Sequence, residues 1–304
     1  MAAAADSETS GRMKRAPLTA SPLRTVAPML PGLILLIFVF AVPLTLILPT
    51  SFIVNEKISG SVYVSVLGDP YYWNVIARSL WISCVSTAIC LVLAYPVAYY
   101  LVRIATPRYK RYIYMIVIAP LFTSAVTRAM AWIIILGRRG LLNDALTSAG
   151  LVDAPLRLLY SDTAVVVGLV YIMIPFMVLT VSAVLENIDG SLEEAAQDLG
   201  ATSWEVFSRV TFPLTLPGVL AGGVLVFALC LSSYVTPALL GGGRHKVLAM
   251  LIFEQFMRVF NWPLGSGIAC ILLVITLALI WGYSRMLARR AVSNRSRAGV
   301  EAVV

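Results

Sequence analysis

The most prominent feature of the chain is an alternation of long apolar runs with short polar segments. Six runs consist almost entirely of apolar side chains: residues 30–51, 75–101, 112–136, 163–185, 214–236 and 266–287. A bilayer core of ~30 Å requires about 20 apolar residues in helical conformation for each crossing. The pattern therefore predicts an all-α polytopic membrane protein with six transmembrane helices.

Composition and charge support this fold class and orient it. The 304 residues are 60% hydrophobic and 12% charged, which is far from the composition of a soluble domain. Fourteen of the 23 Lys and Arg residues fall on the side of the membrane that holds both termini, and seven fall on the other. The positive-inside rule therefore places both termini in the cytoplasm. Because the basic residues flank spans, the net charge of +8 does not indicate nucleic-acid binding.

A polar segment between the fourth and fifth runs, residues 189–213, carries more helix signals than any other, and we call it the central loop. Ser191 and Glu194 have the spacing of a capping box, and Thr202 and Glu205 repeat it. Each box marks the start of a helix, so two short helices are expected on the cytoplasmic side.

A glycine separates these two helices. Gly200 suits the left-handed residue that ends a helix. Helical spacing then predicts two apolar faces, the first made by Leu192, Ala195, Ala196 and Leu199 and the second by Val206, Phe207 and Val210.

Several residues inside the runs are unusual for a lipid-facing helix. Arg128 costs about 2.5–3.5 kcal/mol if placed at the membrane centre, so it either faces a cavity or a partner, or lies near the outer end and reaches the interface. Gly218 and Gly222 have the spacing that permits close helix packing. Residues 247–260 are too short to cross and predict a helix at the outer interface or over an outer cavity. The candidate lining of a translocation path is Arg128, Trp132, Tyr171, Ser232, Ser233 and Tyr234.

Catalytic and metal-binding patterns are missing from the sequence. There is no P-loop and no nucleophile elbow, and His245 has no metal-ligand spacing to the four cysteines. Acidic residues are almost absent from the spans, which argues against proton-coupled transport. We therefore expect no catalytic, cofactor or metal site, and a transport pathway that is driven by another protein.

The central loop resembles a known motif. Glu194-Ala195-Ala196, Gly200 and Val210-x-Phe212-Pro213 are similar to the "EAA" loop of permease subunits in binding-protein-dependent ABC importers, with Val210 and Phe212 in place of the usual Ile and Leu. Other segments resemble the spermidine/putrescine-type branch of these permeases: Tyr95-Pro96-Val97-Ala98-Tyr99, Arg128-Ala-Met-Ala-Trp132, Gly140-Leu-Leu-Asn143, Tyr234-Val-Thr-Pro-Ala-Leu-Leu-Gly241 and Asn261-Trp262-Pro263-Leu-Gly265.

The resemblance implies an ABC importer permease fold with a cytoplasmic coupling helix, located in the bacterial inner membrane. Its expected partners are ATPase subunits, a second permease subunit, an extracytoplasmic solute-binding protein and membrane lipid. ATP would be used by the ATPases, so this chain would hold no cofactor. The solute would be a polyamine or a related small organic solute. The residues expected to couple to the ATPase are Glu194, Ala195, Ala196, Asp198 and Gly200.

This interpretation divides the chain into three parts. Residues 1–29 form a disordered basic cytoplasmic tail, residues 30–287 the permease domain, and residues 288–304 a second basic cytoplasmic tail. Two alternatives stay open. A permease of the same fold could carry an opine, an aminophosphonate, ferric iron or an oxyanion, and a stand-alone secondary transporter would work without an ATPase. A membrane enzyme is a distant third, because catalytic groups are missing.

Overall fold

The computed structural model describes residues 30–54 and 57–301, with side chains in the last helix as far as Tyr283, and Arg285. The described residues divide into two units between Ile47 and Leu48. Helix α1 (Leu30–Thr50) is apolar along its 21 residues and matches the first predicted span. The predicted tail of residues 1–29 lies outside the described residues.

The second unit begins with a small hairpin and two helices. Strands β1 (Ile53–Val54) and β2 (Lys57–Ile58) pair antiparallel, and α2 spans Ser61–Gly68. Helix α3 (Pro70–Tyr99) continues through Pro96 and then widens into a π-helical turn at Tyr100–Ile104.

The third predicted span, residues 112–136, is interrupted in the structure. Helix α4 (Pro107–Ile118) leads into a 3-10 turn at Ala119–Phe122, and α5 (Ala125–Leu136) starts after two non-helical residues. The segments on either side of the break meet at 98°. Pro120 explains the interruption, because its ring blocks the preceding turn and it has no N–H for the helical ladder.

The remaining helices complete the second unit. Their bounds are α6 (Leu141–Ser148), α7 (Asp162–Glu186), α8 (Ser191–Asp198), α9 (Ser203–Val206), a π-helical turn (Phe207–Thr211), α10 (Phe212–Ser232), α11 (Val235–Leu240), α12 (Leu248–Glu254), a second π-helical turn (Gln255–Val259) and α13 (Trp262–Glu301). In the described part of the chain, five helices are long and apolar enough to cross a membrane, and the bent pair makes a sixth crossing if it counts as one span.

Helices α3, α7 and α10 pack against one another and supply most of the main apolar core. The close packing predicted from Gly218 and Gly222 is confirmed. A Cβ atom at Gly222 would lie 2.6 Å from Thr180 Cγ2, and one at Gly218 would overlap the side chain of Val184. Both partners lie on α7, so the glycines set the distance between α7 and α10.

A second apolar cluster joins the short helix α12 to its neighbours. Its buried side chains are Val62, Val66, Val75, Ile76, Leu248, Leu251 and Ile268. These come from α2, α3, α12 and α13. Helix α12 therefore packs on other helices without crossing, as its length predicted.

Candidate functional site

The central loop forms two short helices joined at a glycine, as predicted, but only one of the two capping boxes is present. Thr202 accepts the N–H of Glu205 at 3.4 Å, and Glu205 accepts the N–H of Thr202 at 3.0 Å. The predicted box at Ser191 is wrong, because the residue that caps α8 is Gly190 and no side chain caps the helix.

Asp189 explains the missing box at the start of α8. Its carboxylate accepts the Ser191 N–H at 3.0 Å, which holds the pKa of the carboxyl below its ordinary value. An acidic side chain two residues before the helix thus fixes the turn into α8. Glu194 is left pointing to solvent.

Gly200 ends α8 in the left-handed conformation that the sequence predicted, with φ +89°. The Gly200 N–H donates to the Gln197 carbonyl at 2.8 Å, and the Ala201 N–H donates to the Ala196 carbonyl at 3.1 Å. This pair of bonds is a Schellman motif, which turns the chain sharply toward α9.

A carboxylate that the sequence analysis did not select, Glu193, attaches the central loop to α3. Its Oε1 accepts the Arg103 Nε–H at 3.1 Å and the Thr211 hydroxyl at 2.9 Å. Arg103 also donates to the Ile188 carbonyl at 3.1 Å. The Arg103 and Glu193 side chains are only 16% and 12% exposed, so the ion pair is largely shielded from water.

An aromatic cluster lies beside this ion pair. Phe207 packs edge to face on Tyr95 and Tyr99 of α3, each at 5.7 Å between ring centroids. The Tyr95 hydroxyl lies 2.9 Å from the Thr215 hydroxyl of α10. The second half of the central loop is therefore also packed against the C-terminal end of α3.

The opposite face of the central loop is open. Leu199 is 90% exposed and Trp204 is 73% exposed. The residues expected from the resemblance, Glu194, Ala195, Ala196, Asp198 and Gly200, are exposed except for half-buried Ala196. In the described part of the chain, no ion pair involves Glu194 or Asp198. The two helices thus expose small, apolar and acidic side chains.

Arg128, the first path candidate, lies at the break of the third span. Its guanidinium donates to the carbonyl of Pro120, which is close to the interruption. Its Nε is buried without a hydrogen-bond partner in the described structure. The guanidinium therefore has a hydrogen-bond partner within its own span.

The other path candidates form two separate groups. Trp132, one turn after Arg128 on α5, contacts Tyr171 of α7 edge to face at 5.8 Å. Tyr234, between α10 and α11, stacks on Phe253 of α12 at 4.6 Å. The Ser232 hydroxyl donates to its own helix, at the Leu229 carbonyl, and Ser233 ends that helix. No hydrogen bond or ring contact among the described residues joins the two groups.

A basic pocket that the sequence analysis missed lies at the N-terminal end of α3. It has a volume of about 450 Å³, and Arg78, Arg244 and Lys246 contribute to its lining. The Asp162 carboxylate lies next to the pocket. Its Oδ1 is 2.7 Å from His245 Nδ1 and 3.8 Å from Arg78 Nε. The sequence gives no sign of this pocket, because Arg244 lies 166 residues after Arg78 in the chain.

Comparison with known proteins gives consistent results over most of the chain. The family model described as "binding-protein-dependent transport system inner membrane component" matches residues 19–292. The spermidine/putrescine transport system permease protein PotB of Haemophilus influenzae is 35% identical over 257 residues, covering 82% of this chain and 89% of that protein. PotB of Escherichia coli is 33% identical over 265 residues, covering 84% and 96%.

A solved structure supports the fold independently. A chain of a bacterial ABC transporter that imports the acidic polysaccharide alginate superposes with a TM-score of 0.75 and 19% sequence identity. The superposition covers 88% of this chain and 96% of that chain. At this identity, the similarity concerns the fold alone.

Proposed function

The chain belongs to the family of binding-protein-dependent transport system inner membrane components, and on that basis we propose that it carries a polyamine or a related small organic cation through an ATP-driven importer. As a member of this family it is an ABC importer permease and not an enzyme. The observation that carries the solute assignment is the 33–35% identity to two PotB proteins over more than four fifths of the chain.

Aromatic side chains in the candidate path are compatible with a cationic solute. Trp132 and Tyr171 contact each other and keep part of their ring surfaces exposed. Aromatic faces attract ammonium groups by about 0.5–2 kcal/mol, so such a pair can bind an amine without a carboxylate in the membrane. This accounts for the scarcity of acidic residues in the spans.

Uptake of labelled solute tests the assignment. Cells that lack their own polyamine importers would receive this chain together with its partner subunits and binding protein. Uptake of spermidine or putrescine that requires the chain is the expected result. If the cells that receive the complete importer take up neither polyamine, the solute assignment is refuted and the family assignment is untouched.

An anionic solute is the second candidate, and basic side chains favour it. Arg128 belongs to the candidate path, and Arg78, Arg244 and Lys246 line one pocket, where Arg78 pairs with Asp162 and Lys246 pairs with Glu254. The same cells would be tested with molybdate and sulfate as oxyanions. Uptake of labelled molybdate or sulfate that requires the chain and that added polyamines do not reduce would favour this second candidate.

We also propose that the exposed surface of the central loop binds the ATPase subunit, with Glu194, Ala195, Ala196, Asp198 and Gly200 at the contact. The support is the apolar exposure of Leu199 and Trp204 on helices that are fixed by a capping box and a Schellman motif. Such a surface is unusual next to water and is typical of an interface.

Co-purification of the ATPase tests this contact. Leu199→Asp is expected to reduce the retained ATPase by about tenfold or more, the effect of losing 1.4 kcal/mol at an interface. Leu151→Asp is the matched control, because Leu151 is also an exposed leucine, at 70%, and lies on the other side by the charge rule. Equal ATPase retention in both variants would contradict the proposal.

The location that we propose is the bacterial inner membrane, with both termini and the central loop in the cytoplasm and a second permease subunit beside this chain. In a cysteine-free background, Asp198→Cys should be protected from an impermeant thiol reagent in intact cells, and Asp144→Cys should be labelled. The reverse labelling would invert the topology. Solute uptake that persists without the ATPase would instead support a secondary transporter.

A further inference from the structure

We propose that Glu193 and Arg103 are positioning residues that transmit displacement of the central loop to α3. The inference rests on the proposed contact between the central loop and the ATPase, and it adds the route by which that contact moves the membrane helices. The central loop is covalently continuous with α7 and α10 only, because it connects them. Displacement of α3 with the loop therefore passes through side-chain contacts, either directly from the loop or by way of α7 and α10, which pack against α3.

One carboxylate oxygen joins three separate segments. Glu193 Oε1, on α8, accepts from Arg103 in the π-helical turn after α3 and from Thr211 in the π-helical turn before α10. Arg103 also binds the Ile188 carbonyl, where α7 leads into the loop. The ion pair therefore holds the cytoplasmic ends of α3, α7 and α10 in one arrangement around the loop.

The low exposure of the pair makes this connection stiff. A charged group that is shielded from water cannot exchange its partner for solvent at low cost. Displacing α8 relative to α3 would separate Glu193 from Arg103 while both stay largely shielded. It would also separate Phe207 from Tyr95 and Tyr99. Moving α3 together with the loop preserves all of these contacts and is the less costly motion.

Adjacent acidic residues thus have different roles. Glu193 points into the protein and fixes the loop to α3, whereas Glu194 points outward on the surface proposed to meet the ATPase. Loss of Glu194 should weaken the complex with the ATPase. Loss of Glu193 should leave the ATPase bound and reduce the solute that moves for each ATP hydrolysed.

The experiment uses the complete importer in proteoliposomes with its binding protein, and labelled spermidine is the probe. Retained ATPase, ATP hydrolysis and uptake are measured for each variant. Glu193→Gln is expected to lower the ratio of uptake to hydrolysis by about fivefold or more, the lower end of a typical coupling effect. Thr211→Val removes one hydrogen bond to the same oxygen without leaving a charge unpaired, and a smaller decrease is expected.

A matched control comes from another cytoplasmic ion pair. Lys110 Nζ binds Glu186 Oε1 at 2.6 Å and links α4 to α7 outside the central loop. Glu186→Gln is expected to leave the ratio unchanged. Exchange of the two charges, Glu193→Arg with Arg103→Glu, should recover part of the ratio lost in Glu193→Gln.

The outcomes separate this inference from the proposed function. An unchanged ratio in both Glu193→Gln and Thr211→Val, with the ATPase retained, overturns the inference. The inference is also overturned if uptake and ATP hydrolysis fall in the same proportion as the amount of assembled complex. In that case the ion pair would only stabilise the fold. If Leu199→Asp and Glu194→Gln retain the ATPase fully, the proposed docking surface is wrong, whatever Glu193 does. If spermidine is not taken up even by the unchanged importer, the solute assignment fails, and hydrolysis stimulated by the binding protein becomes the readout.

Discussion

Replacing Gly222 by alanine tests whether close contact between α7 and α10 holds the core together. The new Cβ would lie 2.6 Å from Thr180 Cγ2 and 3.0 Å from Thr180 Cβ. Rotation of Thr180 about χ1 moves the methyl group but not the Cβ atom. It would also break the bond from the Thr180 hydroxyl to the Phe176 carbonyl, now 2.8 Å long. The helices must therefore separate.

Gly223 provides the matched control for this prediction. A Cβ at Gly223 has only Thr87 Cγ2 within reach, at 4.0 Å, which is ordinary van der Waals contact. Both substitutions are Gly to Ala at neighbouring positions of one helix, so the gain in helix propensity of about 1 kcal/mol is common to both. Overpacking typically costs about 1–3 kcal/mol. The difference between the two variants should therefore be about 1–3 kcal/mol, with Gly222→Ala the less stable.

Thermal unfolding of the purified complex in detergent measures this difference. In soluble domains of 150–250 residues, 1 kcal/mol shifts the melting temperature by about 2–4 °C, so Gly222→Ala should melt several degrees below Gly223→Ala. The comparison is made between apparent melting temperatures at one scan rate. Equal melting temperatures would refute the argument that the glycine contact sets the helix spacing.

Three further predictions concern polar contacts. Thr202→Ala removes one half of the capping box and should reduce the stability of helix α9 by about 1 kcal/mol. Proteolysis of the central loop in the assembled importer should then be faster, and an unchanged rate of cleavage would contradict the prediction. Arg128→Met removes the hydrogen bond to the Pro120 carbonyl and should destabilise the broken span by about 1–3 kcal/mol. The apparent melting temperature of the complex should therefore fall. A rise would contradict the prediction, because it would show that burying the charge destabilises the span more than the hydrogen bond stabilises it. Asn143→Ala removes three hydrogen bonds that hold the loop after α5, to Gly137 and Leu156. At about 1 kcal/mol for each bond, it should lower the apparent melting temperature of the complex more than Thr202→Ala lowers it under the same conditions, and an equal shift would contradict this.

The sequence alone predicted the position of most spans because hydropathy depends on local composition. The fourth run, residues 163–185, differs from α7 (Asp162–Glu186) by one residue at each end. The break in the third run is not visible in its hydropathy, because the run is apolar on both sides of the break. Pro120 marks the position, but whether a proline bends or breaks a helix depends on which groups bind the carbonyls that it leaves free. Here Arg128 binds the carbonyl of Pro120 itself, beside the break, and that contact depends on the folded structure.

The central loop shows the same limit at the level of single residues. Thr202 and Gly200 were predicted correctly because each acts on its own neighbours. Ser191 was not, because Asp189 competes for the same helix end and both choices fit the local pattern.

The roles of Glu193 and Glu194 could not be separated by any local rule. The two residues are adjacent, equally charged and both in the first turn of α8. What distinguishes them is Arg103, 90 residues earlier in the chain, which reaches the loop only after α3 and α7 have packed together. The family motif emphasises the outward carboxylate, which a partner protein can contact. The inward carboxylate is defined by the fold of this chain, and it gives the loop a direct contact with a helix to which the loop has no covalent connection.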